Sequence, residues 1–428
     1  MGGQCRDQRC KTTYGTSMQS LMRSGRRGTL CPRARSMLLR TARLAQQIRS
    51  PARTCMSLKR SAASAMVKIG THDGTFHCDE ALGCFMLRRT AVCALALWRT
   101  HAPVRSPAAL QAFKDAQVVR SRVPEVLSEL DAVIDVGGVY DPGTSCRRLA
   151  LPSASHALSR LPATHRYDHH QKEFSDVFGH GHVTRLSSAG LVYKHFGREL
   201  VATELGKPES DPVVDTVYLK LYKAFMEAVD GVDNGVNQYE SSAPPRYQSR
   251  TDLSSRVGKL NPKWNEDATP AYSNAQFAKA MELAGGEFLE ALQYYGTTWL
   301  PGREPVAQAL ASRFNVHPSG LIIQLPCYAP WKEHLYELEA EQGLDPKPLF
   351  CLYEDEKKNW RVQAISVAPG SFDNRKSLPK PWLGLRDAQL SEASGVEGCI
   401  FVHVGGFIGG NATLAGAQAM AIKALSLD

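Results

Sequence analysis

The chain has 428 residues, too many for one ordinary domain, so two domains with additional segments are expected. Its 43% hydrophobic and 22% charged residues match a globular composition, and the best apolar run, Ala91 to Trp98, is far shorter than the roughly 20 residues of a membrane span, so no membrane partner is expected. The formal charge of +9 divides into a net +13 over residues 1–65 and a net −4 over the remainder, so bulk charge gives no argument for nucleic acid, and any such affinity needs a local basic patch.

Residues 1–65 carry 14 Lys or Arg against the single acid Asp7. They include a potentially amphipathic piece, Met37-Leu-Leu-Arg-Thr-Ala-Arg-Leu-Ala-Gln-Gln-Ile48. This pattern matches a mitochondrial transit peptide better than a secretory signal. A disordered basic tail, untranslated sequence ahead of the true start, or a nuclear import signal are the alternatives. The 11 cysteines are scattered and form no Cys-x-x-Cys pair, which disfavours a disulfide framework or a thiolate zinc site.

After the leader, Met66 to Gly70 reads as a short buried strand, Thr71 to Cys78 as a loop and Asp79 to Arg88 as a helix whose first-turn acids complement its dipole. Further strands fit Ala116 to Arg120, the apolar run Asp131 to Gly137, and Arg166-Tyr167. Ser187-Ser188 is placed to cap a helix over Ala189 to Leu205, and another helix fits Val213 to Val229. Strands alternating with helices indicate a parallel α/β sheet. The Pro-, Ser- and Asn-rich region 241–275 reads as a linker. Beyond it a helix over Gln276 to Tyr295, strands over Phe350 to Tyr353, Trp360 to Val367 and Ile400 to Val404, and a closing helix over Thr413 to Ser426 read as a smaller α+β domain, 276–428.

Four clusters carry chemistry. His72, Asp73, His77, Asp79 and Glu80 stand in or beside a loop directly after a strand, where open α/β sheets bind ligands, and His with Asp suits Mn²⁺- or Mg²⁺-class ions. Asp135 ends an apolar strand, where a carboxylate is costly unless paired or metal-bound, and Gly137-Gly138 permit a sharp turn. Asp168-His169-His170 can direct one imidazole to a metal and the other to a phosphate or a carboxylate. Asp230 and Asp233 lie just past a long helix. Each cluster also has a plain reading as loop or turn residues, and it is their order along one α/β half that points to a shared site.

Asp168-His169-His170, preceded by the His/Asp loop and a strand-end Asp, resembles the DHH phosphoesterase superfamily. The strings Ile69 to Leu82, Asp135 to Pro142, His165 to Gln171, Leu186 to Leu191, Pro330 to Leu335 and Val402 to Gly410 resemble, more narrowly, the eukaryotic melanocyte-proliferating-gene family of DHH-type exonucleases. The resemblance covers roughly residues 66–428. It implies a DHH-like catalytic domain over 66–240 and a 3′-to-5′ exonuclease acting on single-stranded RNA in the mitochondrion and nucleus. It further implies two divalent cations, Mn²⁺ or Mg²⁺, held by His72, His77, Asp79, Asp135, His169 and either Asp230 or Asp233. Asp168 and His170 would be catalytic or would orient the ligands. His403 with Gly405, Gly406, Gly409 and Gly410 would grip the substrate, the alternative being an ordinary turn before the last helix. The stretches 91–109 and 143–164 look inserted relative to the family, and Val123 stands where the family tends to have an acid.

The mechanism expected is a pair of cations that activate a water and orient a phosphodiester. Arg120, Arg122 and Arg361 are candidates for phosphate contacts, with surface charge as their alternative. The competing functions are a phosphohydrolase of small nucleotides or pyrophosphate, and a non-catalytic regulatory protein that keeps the fold.

Overall fold

The computed structural model describes residues 67–90, 116–141, 165–240 and 247–427; the basic leader and the stretches 91–109 and 143–164 lie outside them. The first sheet comprises β1 (Lys68–Thr71), β2 (Gln117–Arg120), β3 (Ala132–Ile134), β4 (Tyr140–Asp141) and β5 (His165–Tyr167), in the order β2-β1-β3-β5-β4. The four strands β2, β1, β3 and β5 run parallel, and β4 is an antiparallel edge. Helices cover the sheet, which is why Ile69, Ile134 and Tyr167 are wholly buried. The strand expected over Asp131 to Gly137 is shorter than its apolar run. Asp135 adopts a left-handed φ of 57°, followed by Gly137 at 98° and Gly138 at 67°, so the chain leaves the sheet immediately after Ile134.

Helix α1 (Cys78–Arg88) is buried along nearly its whole length. It is enclosed because it packs on the sheet and is flanked by two long helices, Ser188–Leu205 and Pro270–Tyr294. A short helix α2 (Pro124–Ser128) precedes β3, and a hairpin of β6 (Val177–Gly179) and β7 (His182–Arg185) precedes α3 (Ser188–Leu205). Ser187 caps α3 by accepting from Gly190 N, as the Ser-Ser pair suggested, and Gly206 ends it at φ 63°.

The helix expected over Val213 to Val229 is longer. It begins as α4 (Pro212–Leu221), passes through a π-helical turn at Tyr222–Met226 and continues as α5 (Glu227–Asp233). Asp230 and Asp233 therefore belong to its last turns and do not follow its end.

Region 241–275 is also more than a spacer. It contains α6 (Leu253–Gly258), capped by Asp252, and the start of α7 (Pro270–Tyr294), capped by Thr269. Phe277, Ala280, Met281, Ala284, Phe288 and Leu292 of α7 bury in the same core as α1 and α3. Phe85 of α1 lies on the bare backbone of Gly285, where a Cβ would come within 2.2 Å of its ring. The helix expected to open the second domain thus completes the first core, because its apolar stripe faces α1.

The second sheet has β8 (Ile322–Gln324), β9 (Phe350–Glu354), β10 (Trp360–Ala364), β11 (Cys399–Val402) and β12 (Ile408–Asn411), in the order β11-β12-β10-β9-β8. Only β8 and β9 are parallel. Alternation along β9 sends Phe350 and Leu352 to a core with helix Leu414–Ser426, and Cys351 and Tyr353 to one with helices Arg303–Ala311 and Trp331–Gln342. The fold is α/β, a parallel-sheet N-terminal part followed by an α+β C-terminal part. Strands β4, β6, β7, β8 and β12 escaped the sequence reading, each being only two to four residues long.

Candidate metal centre

Three neighbouring parallel strands end at the same level. The residue after each last strand position is His72 for β1, Asp135 for β3 and Asp168 for β5. Asp135 N donates to Tyr167 O at 3.0 Å, which locks the ends of β3 and β5 together. This is the crevice outside the carboxyl ends of the strands, where open α/β sheets bind ligands. The first turn of α1 adds Asp79 and Glu80, and the last turn of α5 adds Asp233.

His72 is buried, with Nε2 3.0 Å from Glu80 Oε1 and 3.4 Å from Asp135 Oδ2, while Nδ1 lies 3.0 Å from Asp73 O. Burial alone would lower its pKa, but the hydrogen bonds to Asp135 and Glu80 push it up to about 10. His169 Nε2 sits 3.2 Å from Asp233 Oδ2 and 3.5 Å from Asp135 Oδ1, and neither ring nitrogen makes a hydrogen bond with the described residues. Asp135 is a hub. Its Oδ1 accepts from Ser188 Oγ at 3.0 Å and lies 3.2 Å from His170 Nδ1. Burial opposes ionisation of Asp135, yet the hydrogen bonds from His170 and His72 hold it well below the ordinary carboxylate range.

Asp79 shows the opposite behaviour. It is wholly buried among other acids, neither oxygen accepts from a donor group of the described residues, and burial followed by the charge of Asp135 raises its pKa well above the ordinary value. Glu80 Oε2 is likewise unpartnered. Asp233 is raised chiefly by burial.

Four carboxylates and two buried imidazoles thus converge with oxygens and nitrogens left unmatched, an arrangement that is costly unless positive charge compensates it. Ligand atoms within 4.8 Å of one another occur in the sets His72-His77-Glu80, Asp79-His169-Asp233, Asp135-His169-His170 and Asp79-Glu80-Asp135. Oxygen and imidazole donors with no thiolate suit Mn²⁺- or Mg²⁺-class ions. The residues present fit a divalent cation, and the orphaned atoms of Asp79, Glu80 and His169 carry that fit.

His77, exposed at the N-terminus of α1, reaches one of these sets through His72 and Glu80. Asp168 takes a different part. Its Oδ2 accepts from Gly138 N at 2.6 Å, and its Oδ1 accepts from His170 N at 3.0 Å and lies 3.0 Å from His170 Nδ1. Asp168 therefore fixes the Gly138 turn and the His170 ring. His170 itself is 64% exposed, and the hydrogen bond with Asp135 pushes its pKa up to about 9.

Of the two acids left open in the sequence, Asp233 stands in the cluster and Asp230 does not. Asp230 Oδ1 accepts from Ser187 N at 3.0 Å and Ser187 Oγ at 2.8 Å, and Oδ2 accepts from Tyr222 Oη at 2.8 Å. Oδ1 is spent on anchoring the start of α3 and Oδ2 on the π-helical turn at Tyr222, so the metal assignment of Asp230 is corrected to a structural one.

The Gly-rich string is a hairpin of the C-terminal sheet. His403 Nδ1 accepts from Gly405 N at 3.0 Å, and Gly406 turns at φ 67°. Gly409 and Gly410 pair in β12 with Val362 and Arg361. None of these five residues lines the cavity at the metal cluster, which has a volume near 590 Å³ and is walled by His72, His77, Asp79, Asp135, Asp233 and His170 among others. Arg361 is bonded to Asp355 in the C-terminal sheet. Arg120 also leaves the phosphate-contact group: Nε donates to His72 O at 3.2 Å and Nη2 to Gly74 O at 2.7 Å, so it buttresses the His72 loop. Arg122 does line the cavity. Val123 is half exposed at the start of α2.

The sequence reading placed Glu80 in the His72 cluster without making it a metal ligand, and treated Ser188 as a cap. It missed Asn261, whose Nδ2 donates to Phe76 O at 2.7 Å and whose Oδ1 accepts from Phe76 N at 2.9 Å. Nothing in the local pattern of Asn261 marks a contact 185 residues away.

Fold and site together define an α/β protein with a buried carboxylate–imidazole centre suited to divalent cations. The chain belongs to the MYG1_exonuc family, described as "Uncharacterised protein family (UPF0160)", whose model matches residues 68–106, 108–146 and 161–425. It is 45% identical over 375 residues to "MYG1 exonuclease" of Homo sapiens, covering 86% of this chain and 88% of that one. It is 41% identical over 358 residues to "MYG1 protein" of Dictyostelium discoideum, covering 84% and 96%. The crystal structure of exonuclease RecJ bound to manganese aligns over 84% of this chain and 89% of that chain with 14% identity and a TM-score of 0.20, an overlap too low to carry a structural inference.

Proposed function

We propose that this chain is a divalent-metal-dependent phosphodiesterase, a nuclease of the DHH type that removes nucleotides from the 3′ end of single-stranded RNA. The observation that carries the reading is the set of buried, unpartnered donors on Asp79, Glu80 and His169, gathered around Asp135 at the ends of three parallel strands. Relatives named exonuclease support a nucleic-acid substrate.

His72, His77 and Glu80 on one side, and Asp79, His169 and Asp233 on the other, would hold two cations, and Asp135, close to both His72 and His169, would be a further donor. When bound, such cations supply Lewis acidity towards a phosphodiester and a water acidified towards neutrality. The chain's own residues do the rest. Asp168 and Asp135 hold His170 Nδ1, so Nε2 is the atom left to meet a substrate oxygen and to carry a proton to the leaving group. Ser188 orients Asp135, Arg120 orients the His72 loop, and Arg122 at the cavity wall meets phosphate charge. Residues 1–65 would direct the protein to the mitochondrial matrix, with a second population in the nucleus; their Arg-rich, acid-poor composition supports this.

The test is degradation of end-labelled RNA and DNA with Mn²⁺, Mg²⁺ or chelator, comparing the wild type with Asp135→Ala. Metal-dependent release of nucleotides from the 3′ end, abolished in the variant, is expected. Equal turnover in chelator, or in the variant, would sink the proposal. A second reading, hydrolysis of short oligonucleotides or pyrophosphate, draws on the cavity volume near 590 Å³, which falls in the range of small-ligand sites. Rates on a dinucleotide and on pyrophosphate, set beside those on long RNA, separate the two.

A further inference from the structure

We infer that the segment from Tyr247 to Trp264 is a rim that stacks bases and tracks phosphates of a single strand entering the metal cavity, an inference that builds on the nuclease reading and concerns its substrate path. Three independent observations converge on this segment. The first is position. Ser254 and Gly258 of α6 line the cavity, and Asn261 clamps both backbone groups of Phe76 in the loop that bears His72 and His77. The segment is therefore attached to the mouth of the site.

The second is the exposure of its aromatic rings. Trp264 is 97% exposed and Tyr247 is 80% exposed, one at each end of the segment. A large ring normally buries in the core, and an indole left in water on an ordered turn costs free energy that a ligand surface can recover. The turn under Trp264 is ordered by the clamp at Asn261 and by Lys263 N, which donates to Glu266 Oε2 at 2.9 Å. The ring is held out by its backbone.

The third is charge. Residues 247–264 contain Arg250, Arg256, Lys259 and Lys263 against the single acid Asp252, a net +3 on a body that is otherwise acidic. Arg256 is spent on Glu287. Lys263 shares an exposed pair with Glu266 at 3.1 Å, which is weak in water and readily exchanged for phosphate. Lys259 donates to Arg250 O at 2.9 Å and so keeps its charge at the rim. Exposed aromatic rings interleaved with cations are the chemistry by which single strands are bound without sequence preference: rings take the base faces and cations follow the backbone. A protein partner would be served by an apolar patch without this charge.

Binding of a fluorescent oligoribonucleotide about 12 nucleotides long, a length within the span of single-strand sites, is measured by anisotropy in chelator, and Mn²⁺-dependent turnover is measured on the same oligomer and on a dinucleotide. Trp264→Ala is expected to weaken oligomer binding about tenfold, the scale of losing one stacked base, with Trp264→Phe restoring most of it. Its loss of turnover on the oligomer should exceed that on the dinucleotide by a similar factor. Lys259→Gln with Lys263→Gln should lower the slope of log affinity against log salt by about 1 to 2. Equal oligomer affinity for wild type and Trp264→Ala, or equal losses on the two substrates, overturns the rim while leaving metal-dependent hydrolysis in place. Oligomer binding that depends on Trp264, without any Mn²⁺-dependent hydrolysis by the wild type, sinks the nuclease reading instead.

Discussion

The hydroxyl of Ser188 donates to Asp135 Oδ1 across 3.0 Å, in a place where both side chains are buried. This single bond ties the end of β3 to the first turn of α3 and aims the carboxylate that lies between His72 and His169. Hydrogen bonds of this kind set ligand orientation, and their loss typically weakens metal binding about 10- to 100-fold. Ser188→Ala is therefore expected to weaken Mn²⁺ binding by about that factor, read by calorimetric titration, and to cost stability of about 1 kcal/mol. An unchanged Mn²⁺ affinity would remove the positioning role.

Asp230 and Asp233 lie in the same short helix and should respond in opposite ways. Asp230→Ala leaves the Ser187 amide, the Ser187 hydroxyl and the Tyr222 hydroxyl without their acceptor, a loss of about 3 kcal/mol or more. Gly190→Ala should be comparably damaging, because its Cβ would fall 2.2 Å from Asp230 Oδ1. Asp233→Asn removes one of several mutually repelling acids, so in chelator its melting temperature should hold or rise while Mn²⁺ binding and turnover collapse. Thermal unfolding of the variants, with and without Mn²⁺, checks the contrast.

Stability without metal should fall as pH rises. Burial lifts Asp230 to about 7, above its ordinary value of 3.8. A carboxyl raised in the folded state stabilises below its unfolded pKa and loses that contribution as pH climbs through the folded one. The window for Asp230 thus runs from about 4 to about 7. Asp79 and Asp233, also raised, act in the same direction. His72, raised to about 10, extends the loss upward from its ordinary 6.5. Melting temperatures in chelator from pH 5 to 9 should decline, and Asp230→Asn should flatten the part between 5 and 7. Saturating Mn²⁺ should remove the decline, because metal binding displaces the protons.

The two arginines near the His72 loop have separable roles. Arg120 lies 4.8 Å from the Phe277 ring centroid and donates to two backbone carbonyls of the loop. Arg120→Met should weaken Mn²⁺ binding and lower the melting temperature without altering the salt dependence of RNA binding. Arg122 is exposed at the cavity wall and makes a 3.5 Å pair with exposed Asp73. Arg122→Ala should raise KM about tenfold, in line with a lost charge-assisted phosphate contact, and leave the melting temperature in place. Steady-state kinetics and thermal unfolding decide both cases.

Much of the N-terminal half was legible from the chain alone. The apolar runs ahead of His72 and Asp135 announce parallel strands with polar residues at their carboxyl ends, because strands covered on both faces are mostly apolar until they leave the sheet; His165-Arg166-Tyr167 ahead of Asp168 gives no such run. The Ser187 cap was visible for a similarly local reason: a hydroxyl before an apolar helical run satisfies free amides. The choice between Asp230 and Asp233 was not. The two lie three residues apart on one helix, and only the packing of α5 against α3 turns one towards Ser187 and the other towards His169.

Glu80, Arg120 and Asn261 show the same limit. Each looks locally like a helix-end acid, a strand-end cation or a turn amide, and each acquires its role from a partner brought near by folding. The Gly-rich string at 405–410 reads as a ligand loop, and folding shows that two of its glycines are strand residues whose missing Cβ atoms make room for Leu378, Val402 and Arg361. Residue types and their order along the chain thus determined the chemistry available and the strands that bear it. Which of those residues face one another was decided by tertiary packing, since electrostatic and hydrogen-bonding roles depend on distance in space, to which sequence separation is blind.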